Sequence, residues 1–336
     1  MSRLTSIVCA LLFAGTCVAA RPLPESSEQA AISEAVGWIQ AAPRIQREYD
    51  YIMTCRLRLL FFWVSRDDLG GGYIKNGRAV DDPNLHMIQL LFGSDPAKAP
   101  RAINRWGAGT EVVKWSGSNA PQASAFVGFM KSSKGESVLA MQKELAHEKS
   151  AGQHRFEAIV SRVDEAQAIS TTVPFYSDTD YDMHQLGDAQ KLALGQLGDG
   201  QARKFRRLDA AARRGCRRVG GFLSTTEELL ARTLEGEHAP AVSCYVYNAH
   251  PYTLTLQRVT RVATKDVHIT LREKGRKIDQ TYHDLEEFQF QTHNLDSGIK
   301  TDFSVLMGTA GDLRGVPVQI NYQPNWWFQV LLNLKP

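Results

Sequence analysis

The sequence predicts an α+β fold in which curved antiparallel β-sheets carry helices packed on or inserted between them. Three observations predict it. Residues Tyr49–Val64 (YDYIMTCRLRLLFFWV) alternate with a period of two, which sends successive side chains to opposite faces of a strand. After residue 242 come five or six more alternating runs, separated by turn residues. Between these regions lie segments with helical spacing, each closed by Gly or Pro or opened by a capping residue.

In Tyr49–Val64 the odd positions from Tyr49 to Trp63 are all apolar or aromatic. The even positions begin Asp50, Ile52, Thr54, Arg56, Arg58 and turn apolar at Leu60, Phe62 and Val64. As a single strand of roughly 50 Å, the run has one wet face at first and two buried faces at its end. Ahead of it, Ile32, Ala35, Val36 and Ile39 share a face of a helix over Glu28–Ala42. After it, Gly70-Gly71-Gly72 reads as a turn. A phosphate loop would need a following helix with Lys-Ser/Thr, and Tyr73-Ile74-Lys75-Asn76-Gly77 does not supply one. His86–Phe92 and Thr110–Trp115 read as further strands.

Ala123–Lys131 is ambiguous between helix and strand. Glu136–Lys149 reads as a helix, Arg155–Val163 and Ala168–Val173 as strands, Leu186–Leu197 and Arg203–Arg218 as helices. A last helix opens on the capping box Ser224-Thr225-Thr226-Glu227 and ends at Gly236. In the tail, the one-faced sets are Leu254/Leu256, Val267/Ile269/Leu271, Phe288/Phe290, Phe303/Val305/Met307, Val316/Val318/Ile320/Tyr322 and Trp326/Phe328/Val330/Leu332/Leu334. The expected organisation is a leader over 1–20, an N-terminal helix with antiparallel strands over 21–118, a mainly helical segment over 119–236 and a β domain over 237–336.

Residues 1–20 carry Arg3, the apolar run Ile7–Cys17 and the small residues Val18-Ala19-Ala20, the pattern of a cleaved secretory signal. The run is too short for a comfortable membrane span, so the expected product is secreted or periplasmic. The 336 residues carry a net charge of +3, and +2 without the leader's Arg3. That is too small to imply a polyanion partner, and with no recognition motif it argues against nucleic acid. Cys55, Cys216 and Cys244 remain after cleavage. An oxidising compartment permits one bond, for which Cys216–Cys244 is the candidate, because Cys55 lies on the apolar side of the long strand. Three independent thiols are the alternative.

The ending Gly315-Val316-Pro317-Val318-Gln319-Ile320-Asn321-Tyr322, followed by a Trp-rich strand, resembles the close of bacterial envelope β-domains, which in turn are similar to the lipoprotein-localisation carriers. The resemblance covers about the last 95 residues. It implies a curved sheet wrapped around helices and a hydrophobic cavity. Gln89–Trp106 and Val127–Ser133 resemble an uncharacterised family of bacterial secreted proteins. Neither resemblance transfers functional residues.

Motifs for chemistry are incomplete. Asp178-Thr179-Asp180-Tyr181-Asp182 opens like a calcium loop, but Met183 and Ala189 replace its Gly and Glu, leaving a solvated loop whose Asp182 caps the next helix. His147-Glu148 begins a zinc-protease helix, and Ala151 stands where its second His would be. His147 and His154 are separated by Gly152. Cys244 with His250 forms no recognisable dyad, and Asp284, Glu286 and Glu287 read as an exposed turn rather than paired acids. No cofactor and no metal are expected.

The functional expectation is therefore an exported envelope protein that binds an apolar or lipid-like ligand on its curved sheet, through Phe61, Trp63, Trp326 and Phe328. Arg203, Arg206, Arg207, Arg213, Arg214 and Arg217 would supply a peripheral contact with an anionic membrane surface. The alternatives are a structural or interaction module without a small ligand and a hydrolase acting on glycan or ester.

Overall fold

The structure, a computed structural model, describes residues 26–41, 43–59, 62–116, 121–131, 138–198, 204–216, 218–271, 276–325 and 328–336. One antiparallel sheet of fourteen strands organises it. The chain starts in the middle of that sheet. β1 (Pro43–Leu59) is central, and β2 (Phe62–Ala79), β3 (Leu85–Ser94), β4 (Trp106–Trp115), β5 (Pro121–Lys131), β6 (His154–Asp164), β7 (Gln167–Ser177) and β8 (Phe205–Asp209) step outward to one edge. The chain then crosses to the opposite edge. From there β9 (Ala241–Tyr247), β10 (His250–Leu271), β11 (Arg276–Asn294), β12 (Lys300–Gly308), β13 (Pro317–Asn325) and β14 (Phe328–Leu334) step back until β14 pairs with β1.

The sheet curls until its two outer regions touch. Val163, Ala168 and Leu208 of β6–β8 pack on Val246 and Ala249, and Ser170 Oγ donates to Asn248 Oδ1 at 2.8 Å. Between the halves lies α4 (Phe222–Leu234). Its Leu229 is fully buried with Leu254, Leu256, Phe288, Phe290, Val305 and Met307. Each such side chain contributes about 1.5–3 kcal/mol on leaving water. The outer face of the first half carries α1 (Ser27–Gln40) and α3 (Leu186–Gly198), with Ile32, Ala35, Ala189 and Ala193 against Ala125, Val127, Phe156 and Ala158. α2 (Val138–Ala151) lies near the start of β6. Because the sheet folds over, several strands are buried on both faces: Leu306 and Val305 are neighbours and both are in the core.

Four sequence expectations are corrected. Tyr49–Val64 is two strands rather than one, with Leu57 paired to Val64 and Leu59 to Phe62. In such a reversal, paired residues share a face, so the apolar face moves from odd positions before the turn to even positions after it. That parity switch, read along one strand, looks like a second buried face. Gly70–Gly72 is no turn. It lies inside β2, where a Cβ on Gly72 would stand 1.9 Å from the Leu91 carbonyl oxygen, so the glycines mark close strand approach. The described part of the expected helix Arg203–Arg218 is not helical: β8 is followed by a 3-10 turn over Ala210–Arg213 and a left-handed Arg214. Basic residues around the whole circumference leave no apolar helix face to bury, whereas a five-residue edge strand buries only Leu208. Finally, α4 begins two residues before Ser224, with Gly221 as N-cap and no cap from its own side chains.

The segment 119–236 supplies β5–β8 as well as α2–α4, and Ala123–Lys131 resolves as strand β5.

Candidate functional site

β1 and β2 run on beyond their neighbour β3. The last β2–β3 pair is Gly70 with Ser94, so Phe62–Leu69 have no partner in β3. On the other side β14 follows β1 as far as Leu57 with Phe328. Leu57 thus stands between Val64 and Phe328, three apolar residues in register on one face. On the other face Arg58 pairs with Trp63, and Arg56 with Ser65. Phe62, Trp63 and Val64 are 58%, 39% and 44% exposed. Of the four residues expected to bind an apolar ligand, Trp63 and Phe328 belong to this projecting end, while Phe61 and Trp326 lie outside the described residues.

The charge here has one sign. From Tyr51 to Arg66 there is no Asp or Glu, and Arg56, Arg58 and Arg66 are all cationic. The next two acids are engaged: Asp67 accepts from Thr54 Oγ1 at 2.9 Å, and buried Asp68 holds Lys98 at 2.8 Å. Arg66 Nη2 donates to the Lys98 carbonyl at 3.3 Å. Arg56 Nε is buried and has no hydrogen-bond partner among the described residues.

A second arrangement was missed from sequence. Lys131, with no solvent exposure, faces Glu148 at 3.4 Å, contacts Asp180 and sits 5.4 Å from the Phe156 ring centroid. His154 Nδ1 is 3.5 Å from Glu148 and 3.7 Å from Asp180. Arg105 lies 3.7 Å from both Glu144 and Glu148. Burial lowers the Lys131 pKa to about 8, with Glu148 opposing. Burial first and Lys131 second lower that of His154. Each carboxylate of α2 here meets a cation, so the cluster seats α2 on the sheet and closes one side of an open groove of about 500 Å³ beside His147, Arg155 and Tyr176. One signal was available: Lys131 falls in phase with Ala125, Val127 and Phe129, all buried, where a lysine needs a partner.

The described arginines among those expected to form an anionic-surface contact are each engaged within the molecule. Arg206 contacts His250, and Arg207 pairs with Asp209 at 2.9 Å. Arg213 is buried against the Asp164 carbonyl. Arg214 pairs with Asp296 at 3.5 Å. Arg203 and Arg217 lie outside the described residues. Between them, Cys216 and Cys244 form a disulfide with Cα atoms 5.6 Å apart, tying the chain after β8 to β9. Cys55 is a free thiol whose pKa burial pushes up to about 11.

Asp182 accepts from the His184 N–H at 2.8 Å and opens the turn into α3. Among the described residues no group of His, Cys, Asp and Glu is arranged to hold a metal ion. Among them, too, no helix is long and apolar enough to cross a membrane. Comparison with protein-family models, with curated proteins and with solved structures finds no match for the chain.

Proposed function

We propose that this chain is an exported binding protein that engages an apolar, lipid-like ligand at the projecting end of β1, β2 and β14. One observation carries the reading. Phe62, Trp63 and Val64 are exposed together at the end of a ribbon, with Val64 in register with Leu57 and, across it, Phe328. Contiguous exposed apolar groups mark contact surfaces, and Trp and Phe give up about 1.5–3 kcal/mol each when taken from water. The packing of α4 against the second half of the sheet favours a site at this end over one inside the curl. The leader-like residues 1–20 and the Cys216–Cys244 bond support export into an oxidising compartment. The resemblance to lipoprotein-localisation carriers agrees with an apolar ligand.

Hydrogen exchange of the full chain with dodecylphosphocholine micelles tests this. Residues 54–66 and 328–332 are expected to gain protection, and the double substitution Phe62→Ser/Trp63→Ser is expected to abolish it. Protection confined to other strands, or unaffected by that substitution, would refute the proposal.

A further inference from the structure

Resting on that reading, we infer that the occupant is the surface of an anionic bilayer rather than a single extracted lipid. The shape of the end is the first reason. Phe62 and Val64 project from one face of the ribbon and Trp63 from the other, and all three are exposed. A ribbon end with exposed apolar groups on both faces presents no single concave surface to one molecule. It fits insertion into a slab.

The distribution of charge is the second reason. Arg58 stands opposite Trp63, and Arg56 is paired with Ser65 one step further back. Arg66 is paired with Cys55 on the Val64 face. At about 3.4 Å per residue, Arg66 sits roughly 13 Å behind Phe62. On the Val64 face the apolar groups lead and Arg66 follows, while on the other face Arg58 stands level with Trp63 and Arg56 follows. Groups that lie in a bilayer interface bury their apolar part about 5–10 Å deep. At that depth Arg58 reaches outward along its side chain and Arg66 lies among the headgroups, where cations are attracted to anionic lipid and Arg binds phosphate with several donors at once. No carboxylate between Tyr51 and Arg66 opposes them.

Co-sedimentation of the full chain tests the inference, with vesicles of pure phosphatidylcholine and of equal parts phosphatidylcholine and phosphatidylglycerol. Binding should be tighter to the mixed vesicles, and salt should weaken it. Arg58→Gln and Arg66→Gln should each weaken binding to mixed vesicles about fivefold and leave binding to neutral vesicles unchanged. Arg214→Gln, remote and paired with Asp296, should change neither. Circular dichroism establishes that each variant is folded. Equal binding to both vesicle types would overturn the anionic-surface inference and leave the apolar-ligand reading standing. So would micelle protection without binding to either vesicle. Loss of both micelle and vesicle binding would take the underlying reading with it.

Discussion

The carboxylate of Glu111, buried in β4, accepts the backbone N–H of Gly221 at 2.8 Å. It also accepts Leu223 N–H at 2.9 Å and contacts the Ser224 hydroxyl. The first donors of α4 are therefore satisfied from across the molecule, by a strand more than a hundred residues earlier, and the helix dipole favours the anion there. Burial raises the Glu111 pKa, and the donors oppose the rise. Glu111→Ala should lower stability by about 2–4 kcal/mol, since it leaves buried donors unpaired. Glu111→Gln should lose less. Urea melts of both variants check the order, and a larger loss for Gln than for Ala would contradict it.

The disulfide closes a loop with a sequence separation of 28 residues. Loop entropy makes that worth about 3–4 kcal/mol. Cys216→Ala/Cys244→Ala should lower the urea midpoint accordingly. Because the bond ties the two outer regions of the sheet together, hydrogen exchange should rise first around Ser170 and Asn248. Uniform loosening everywhere would argue that the bond plays no local part.

Lys131 gives a pH dependence of definite sign. Its folded pKa, about 8, lies below the ordinary 10.5 because burial disfavours the charge. Between these values the unfolded chain holds the proton and the folded chain does not. Its contribution to stability therefore rises with pH through that window. Lys131→Met should lack this rise. Stability curves at pH 7.5 to 9.5 compare the two chains, and parallel curves would contradict the burial of Lys131.

Glycine substitutions separate close strand approach from open space. Gly72→Ala places a methyl group against the Leu91 carbonyl and should lose about 1–3 kcal/mol, as overpacking does. Gly195→Ala in α3, with nothing within 4 Å, should gain about 0.5–1 kcal/mol from helix propensity. Thermal melts of the two variants should shift in opposite directions.

Most strands were legible because burial on one face leaves alternation in the sequence. Leu254 with Leu256 and Phe288 with Phe290 are fully buried as their spacing implied. What the sequence hid has three physical causes. Turn geometry hid the β1–β2 reversal, since Leu59 and Phe62 are both apolar and no glycine or asparagine stands between them. Tertiary pairing hid the cap of α4, because Glu111 is remote from Gly221. The partners of Lys131 come from two separate segments, at Glu148 and Asp180, and no local spacing encodes that. At the projecting end the residue types were legible, and the register that joins Leu57 to Phe328 was not.

The most direct test of the lipid contact is fluorescence quenching in mixed anionic vesicles containing brominated phosphatidylcholine, with the wild-type chain beside Trp63→Phe. Insertion of the β1–β2 end predicts strong quenching in the wild type and a marked loss of it in Trp63→Phe. Buried Trp106 should stay unquenched. Equal quenching in the two chains, or none in either, would contradict insertion through this end.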